Sequence, residues 1–125
     1  MNDYVLRILN RGDNQKTWSP ERHQEFVKKC EVYISGLQRA GRLRSAQPLA
    51  KQGVLLSRSG TAWTVAPLNV GDEIQVGYYH VRAANLQDAV ELAKGNPEFE
   101  YSTTARVEVR PLKAEEESTG FVYPT

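Results

Sequence analysis

Ile74-Gln75-Val76-Gly77-Tyr78-Tyr79-His80-Val81-Arg82-Ala83-Ala84-Asn85-Leu86-Gln87-Asp88-Ala89-Val90-Glu91-Leu92-Ala93-Lys94-Gly95-Asn96-Pro97 reads as one central strand handing over to one helix. Residues 74–83 are rich in β-branched and aromatic side chains, which suit a pleated surface. Asn85 then offers an N-cap oxygen to the first free amides of a helix. Gly95, as a left-handed residue, and Pro97, which cannot continue the helix, predict its end. Leu86, Ala89, Val90 and Ala93 recur at steps of three and four, so one stripe is apolar and must lie on a sheet. A strand and helix joined this tightly form half of a crossover, and the rest of the chain has to supply the other half.

Working outward, Tyr4 to Leu9 alternates Tyr4, Leu6 and Ile8 with Val5, Arg7 and Leu9, as a first strand should. Asn10 to Thr17 is polar loop, and its Arg11-Gly12-Asp13 tripeptide is read as chance. Ser19-Pro20-Glu21 starts a helix with a cap, a preset first turn and an acid facing the dipole. Trp18 is then expected to pack on His23. The helix runs through Phe26, Val27, Cys30, Ile34 and Leu37 to Gly41. Leu43 to Leu49 predicts a second strand, Gly53 to Thr64 a hairpin about Ser59-Gly60, and Ala105 to Arg110 a last strand closed by Pro111.

The predicted architecture is α+β: a ferredoxin-like βαββαβ unit with an inserted β-hairpin, an antiparallel sheet and two helices on one face. Residues 1–113 form the domain. Residues 114–125, with Glu115-Glu116-Glu117 and then Phe121-Val122-Tyr123, form a tail that is either disordered or docked on a partner subunit.

Each strand offers one apolar face to the helices: Tyr4, Leu6, Ile8; Tyr79, Val81, Ala83; Ala105, Val107, Val109. The other face mixes Val5, Arg7 and Leu9 with Ile74, Val76, Tyr78, His80 and Arg82, and with Arg106, Glu108 and Arg110. That face is too apolar for open water and too polar for a monomer core, so a homodimer packed sheet against sheet, or a higher oligomer, is expected.

At 125 residues the chain has the size of one domain. Lysine plus arginine number 16 against 15 acids, which leaves no net field to draw in nucleic acid. There is no run of eighteen apolar residues and no basic-then-apolar leader, so neither a membrane partner nor export is expected, and the location is expected to be the cytoplasm of a bacterium. Cys30 is the one cysteine, which excludes an internal disulfide and any multi-cysteine metal centre. No cofactor motif is present: there is no glycine-rich phosphate loop, no Gly-x-Ser-x-Gly and no His-Glu-x-x-His.

Candidate chemistry centres on the mixed face. His80, between Tyr78 and Arg82, can exchange a proton near neutral pH, or simply serve as a hydrogen-bonded interface histidine. Arg7 with Arg106 or Arg110 can clamp an anion such as a carboxylate, though pairs with Glu108 explain them equally well. Tyr78 can orient a ligand there. The expected ligand site is therefore Arg7, Tyr78, His80 and Arg106. His23 is a second acid/base candidate, on the first helix with Val27 and Cys30. A His23 and His80 metal pair lacks a third ligand, so no metal is expected. Cys30 reads as an inert thiol.

Gly77-Tyr78-Tyr79 followed by the Leu86-Gln87-Asp88-Ala89 helix, the earlier Ala40-Gly41-Arg42-Leu43, and the closing Val107-Glu108-Val109-Arg110-Pro111 resemble the YCII-related family, including its DGPF-motif branch. The likeness runs from about Tyr4 to Leu112, and it implies a ferredoxin-like subunit paired as a dimeric α/β barrel. Where that branch has Asp-Gly-Pro-Phe, this chain has Val65-Ala66-Pro67-Leu68. Shorter relatives carry a helix histidine facing an aspartate before a proline, proposed as acid and base; Cys30 and Asn96 stand at those positions here. The resemblance thus implies a homodimeric small-molecule-binding protein, with an anion as one ligand option, and leaves enzymatic activity open. The alternatives are a small lyase or hydrolase-like enzyme using His80 or His23, and a partner-binding module in sigma-factor regulation of transcription.

Overall fold

Alternation of apolar and polar side chains and two well-capped amphipathic segments build the chain. The computed structural model describes residues 1–124, and the last residue of the expected tail, Thr125, lies outside the described residues. The elements run β1 (Asn2–Arg11), α1 (Pro20–Arg39), β2 (Leu43–Pro48), β3 (Val54–Ser59), β4 (Ala62–Pro67), β5 (Glu73–Ala83), α2 (Leu86–Lys94), α3 (Glu98–Tyr101) and β6 (Arg106–Pro111). Four strands form one antiparallel sheet in the order β2-β5-β1-β6, and β3 with β4 forms a separate hairpin. The architecture is α+β, with antiparallel sheets and three helices, compatible with the ferredoxin-like arrangement. No helix among the described residues is long and apolar enough to cross a membrane.

The core lies between the sheet and α1 and α2. Leu6, Val81, Ala83 and Ala89 are fully enclosed, with Tyr4, Ile8, Leu37, Tyr79 and Ala93 around them. Val107 and Val109 of β6 pack against this cluster from the sheet edge. The small side chains Ala83, Ala89 and Ala93 let α2 lie close to the strands. Leu86, expected in that stripe, is instead 49% exposed, because it belongs to the first turn, before α2 meets the sheet.

Helix α1 begins where Ser19 accepts the Arg22 amide at 3.1 Å, and Pro20 fills the first turn. It ends with Gly41 at φ +69°, where the Gly41 amide returns to Gln38 and the Arg42 amide to Leu37, satisfying two last-turn carbonyls. Trp18 finds its aromatic partners further along than His23: Phe26 at 5.3 Å and Tyr101 at 5.6 Å between ring centroids, with the Arg22 guanidinium 5.0 Å over its ring. Tyr101 belongs to α3, a short helix that the sequence reading did not anticipate.

Two backbone expectations are corrected. Gly95 caps α2 as expected, but at φ −80°, an ordinary right-handed conformation, so the chain runs on through Pro97 into α3. Space is tight at this glycine: a Cβ there would sit 3.3 Å from Cε1 of Tyr33, so the ring would have to shift to admit it. In β5 the pairing slips between Ile8 and Leu9, with Ile8 opposite Gly77 and Leu9 opposite Gln75, which leaves Val76 as an extra residue. The bulge turns Val76 onto the core, and Ile74 pairs with the buried Asn10. Ile74 and Val76 are therefore not on the mixed face, and Gln75 and Glu73 take those places.

The tail closes on itself. The Glu116 amide donates to Phe121 O at 2.8 Å, Tyr123 N to Ala114 O at 2.9 Å, and the Phe121 and Tyr123 rings meet edge to face.

Candidate functional site

The alternation of β1 and β5 puts Arg7, Tyr78 and His80 on one face of the sheet, Arg7 directly opposite Tyr78 and Val5 opposite His80. Arg106 joins that face opposite Leu9. Several of the charged groups there are engaged with one another, whereas Arg82 forms no ion pair among the described residues and its Nε is buried without a partner. Arg7 donates to Glu108 at 2.9 Å and to Gln75 at 3.1 Å. Arg106 forms a two-pronged pair with Glu73, both bonds at 2.7 Å. His80 Nε2 lies 3.1 Å from Asp3 Oδ1, which also accepts from Arg44 at 2.8 Å. The Arg44 hydrogen bond holds the Asp3 carboxyl below its ordinary value against the opposing effect of desolvation, with His80 adding to the lowering. Asp3 was not among the sequence candidates; its parity with Val5 and Arg7 was the available signal, and it lies one residue before the expected start of the strand.

His23 does not join this cluster. It stands in the opening turns of α1, on the opposite side of the sheet from His80, so the two histidines are not brought together. Among the described residues no group of three His, Cys, Asp or Glu is placed to hold a metal ion.

A cleft of about 480 Å³ opens between α1 and the β2–β5 side of the sheet, more enclosed than three other hollows of similar volume. Its walls are apolar, from Phe26, Ile34, Leu49 and Val76. Its polar lining includes His23, Cys30, Tyr79, Asn14, Asn96 and Glu98, together with Gln15, Gln47 and the oppositely charged Glu31 and Lys51. Cys30 and Asn96, the two positions that the family resemblance singles out, thus line one space together. Tyr79 enters as the core-facing member of the tyrosine pair, whereas Glu98 was missed because a glutamate directly after a proline reads as solvated.

Asn96 is 4% exposed, and its Oδ1 is fixed by the Glu98 amide at 2.9 Å. That bond orients the side-chain nitrogen the other way, where it has no hydrogen-bond partner. Asn14 Nδ2, on the same cleft, is likewise buried and unpartnered. Glu98, 7% exposed, accepts from Asn10 Nδ2 at 2.8 Å through Oε1. It takes part in none of the ion pairs among the described residues. Burial, reinforced by the charges of Glu98 and Glu31, pushes the Cys30 thiol up to about 11, which leaves it protonated and weakly nucleophilic at neutral pH. Burial also raises the Tyr79 phenol strongly. The Asn96 amide is near enough to temper that rise, yet it is not in hydrogen-bonding geometry with the hydroxyl.

The cleft therefore combines apolar walls with the unpaired side-chain nitrogens of Asn14 and Asn96 and the Glu98 carboxylate. Such groups can pair with polar groups of a ligand, whereas on the opposite face Arg7, Arg106 and His80 already have protein partners. No protein-family model matches the chain, and no curated protein is significantly similar to it.

Proposed function

We propose that this protein binds a small molecule in the cleft between α1 and the β2–β5 side of the sheet, and that it does so as a homodimer of the YCII-related type. In this reading the subunit is ferredoxin-like, and two copies pair through the mixed sheet face as a dimeric α/β barrel. The observation that carries the binding reading is the Asn96 side-chain nitrogen, which is buried and unpartnered in a residue that lines the cleft. Leaving such a donor unmade costs about 1–3 kcal/mol, a cost that a ligand acceptor would remove. The plugging variant Val27→Trp, at the rim, tests it: wild-type protein purified from cells should carry a small molecule detectable by native mass spectrometry, and the variant should lose it while keeping its circular dichroism. An empty wild-type protein whose cleft resonances also ignore a fragment library would end this reading.

One observation favours a second reading, an enzyme. His80 and Asp3 form a histidine–carboxylate pair at 3.1 Å, the arrangement that fixes an imidazole for proton transfer. Arg44 on the same carboxylate makes the pair equally serviceable as a strand-to-strand tie. Turnover of any substrate that survives Val27→Trp but falls at least a hundredfold in His80→Ala would favour the enzyme and move the site to the other face.

A further inference from the structure

The polar end of the cleft limits what its ligand can be, an inference that rests on the binding reading above. Glu98 and Asn96 stand two residues apart on the lining, the Asn96 side chain held through Oδ1 by the Glu98 backbone amide and the Glu98 carboxylate held through Oε1 by Asn10, so an acceptor and a donor are both fixed there. A carboxylate can accept about four hydrogen bonds. Glu98, buried, has a single neutral side-chain donor, Asn10, and no ion pair among the described residues. Its second oxygen accepts from no side chain among the described residues and is free for an N–H or O–H. Asn96, by contrast, lacks an acceptor.

An anionic ligand head would satisfy Asn96 while setting a second negative charge beside Glu98 in a poorly solvated space. A cationic head with donors alone would satisfy Glu98 and leave Asn96 unpaired. A group carrying a carbonyl oxygen next to an N–H satisfies both. The walls of Phe26, Ile34, Leu49 and Val76 call for an apolar or aromatic body behind that group. Cys30 and Tyr79, both protonated at neutral pH, add no charge, and Glu31 and Lys51, also on the lining, carry opposite ones that offset each other.

We infer that the cleft takes an uncharged amide-type compound, such as a carboxamide or lactam on an apolar or aromatic body, with its carbonyl on Asn96 and its N–H on Glu98. Three probes of one shape test it: benzamide, benzoate and benzamidine offer the same ring with a donor and an acceptor, acceptors alone, or donors and a positive charge. Titrations of the intact chain followed by the amide resonances of Asn96, Val76 and Ala46 should give benzamide an affinity at least about tenfold above either ion, the worth of one well-made hydrogen bond. Glu98→Gln should erase the preference over benzoate, and Asn96→Asp, which keeps the acceptor for the Glu98 amide, should turn preference towards benzamidine. Loss of folding does not produce selectivity changes of opposite sense. Benzoate or benzamidine binding as tightly as benzamide to wild-type protein overturns the assigned ligand class and leaves the cleft as a site. Resonances indifferent to all three overturn both the class and the site.

Discussion

The single thiol reports on its surroundings. Cys30 is held up to about 11 by burial first and by Glu98 and Glu31 next, against an ordinary 9.0. A thiol-reactive probe should therefore show a pH–rate midpoint near 11 in folded protein and near 9 in urea. A midpoint below 9 in the folded state would mean that a cation, not Glu98, faces the sulfur. The sign for stability follows: folding favours the protonated form, so this contribution is intact below pH 9 and is lost as pH rises through 11. Asp3 behaves in the opposite sense. Its carboxyl is lowered from 3.8 by Arg44 and His80, so its contribution exists above pH 4 and disappears as pH falls through the folded value. Asp3→Asn should cost no more than about 1 kcal/mol at pH 6, since the pair is solvent-screened, and nothing at the acid end. A urea-midpoint difference that persists unchanged at the lowest pH would show that the loss is not electrostatic. At this scale the sequence was partly legible. Polarity and alternation put Arg7, Tyr78 and His80 on one face, but neither tells that Arg7 is spent on Glu108 and Gln75, nor that Glu98 is buried. Those facts depend on which side chains meet across the sheet.

Caps and periodicity are local, and at the scale of elements they were readable: Ser19 and Asn85 start the two main helices as their residue types require. The bulge at Val76 was not readable, because Ile74-Gln75-Val76-Gly77 alternates as well in a regular strand as in a bulged one, and only pairing with β1 decides between them. Gly95 shows the same limit, since its composition signal fits a left-handed cap and its true reason is Tyr33. That distinction can be tested. At Gly95, φ −80° permits alanine, which by itself would gain about 0.4–1 kcal/mol from the unfolded chain. The added Cβ meets a ring whose hydroxyl is tied to Leu92 O at 2.7 Å and cannot easily retreat, so overpacking of about 1–3 kcal/mol should win. Gly95→Ala is thus expected to destabilise by about 1 kcal/mol, and in a Tyr33→Ala background to become neutral or stabilising. Gly41→Ala, where φ is +69° and nothing lies near the Cβ, should lose a similar amount with no rescue from any neighbour. Equal behaviour of the two glycines in the Tyr33→Ala background would remove the steric account.

For the whole molecule, the order of strands and the side covered by helices followed from pattern, because burying one face of every strand admits few arrangements. The cleft did not follow, because it is a gap left by how α1 meets the β2–β5 edge, and no linear period encodes a gap. Two surfaces then bear on association. The mixed sheet face carries Arg7, Glu108, Glu73 and Arg106 already neutralised in pairs, so a second copy can cover these four without stranding their charges. The β3–β4 hairpin is isolated from the main sheet and exposes apolar groups on both of its faces, with Leu55 and Leu56 on one strand and Trp63 and Val65 on the other each 62% exposed. A two-stranded hairpin is marginally stable alone, so a partner surface is expected for it as well. Under the proposed dimer, light scattering should give twice the 14.1 kDa chain mass. Arg7→Glu sets a carboxylate beside Glu108 and like charges across the pairing surface, and should weaken dimerisation at least tenfold at low salt, less at high salt. The double substitution Leu56→Ser with Trp63→Ser separates the two surfaces. If it dissociates the dimer while Arg7→Glu does not, association runs through the hairpin and the sheet face is free. If neither changes a dimeric mass, the pairing surface lies elsewhere, and a monomer at high concentration in the wild type removes the barrel pairing altogether.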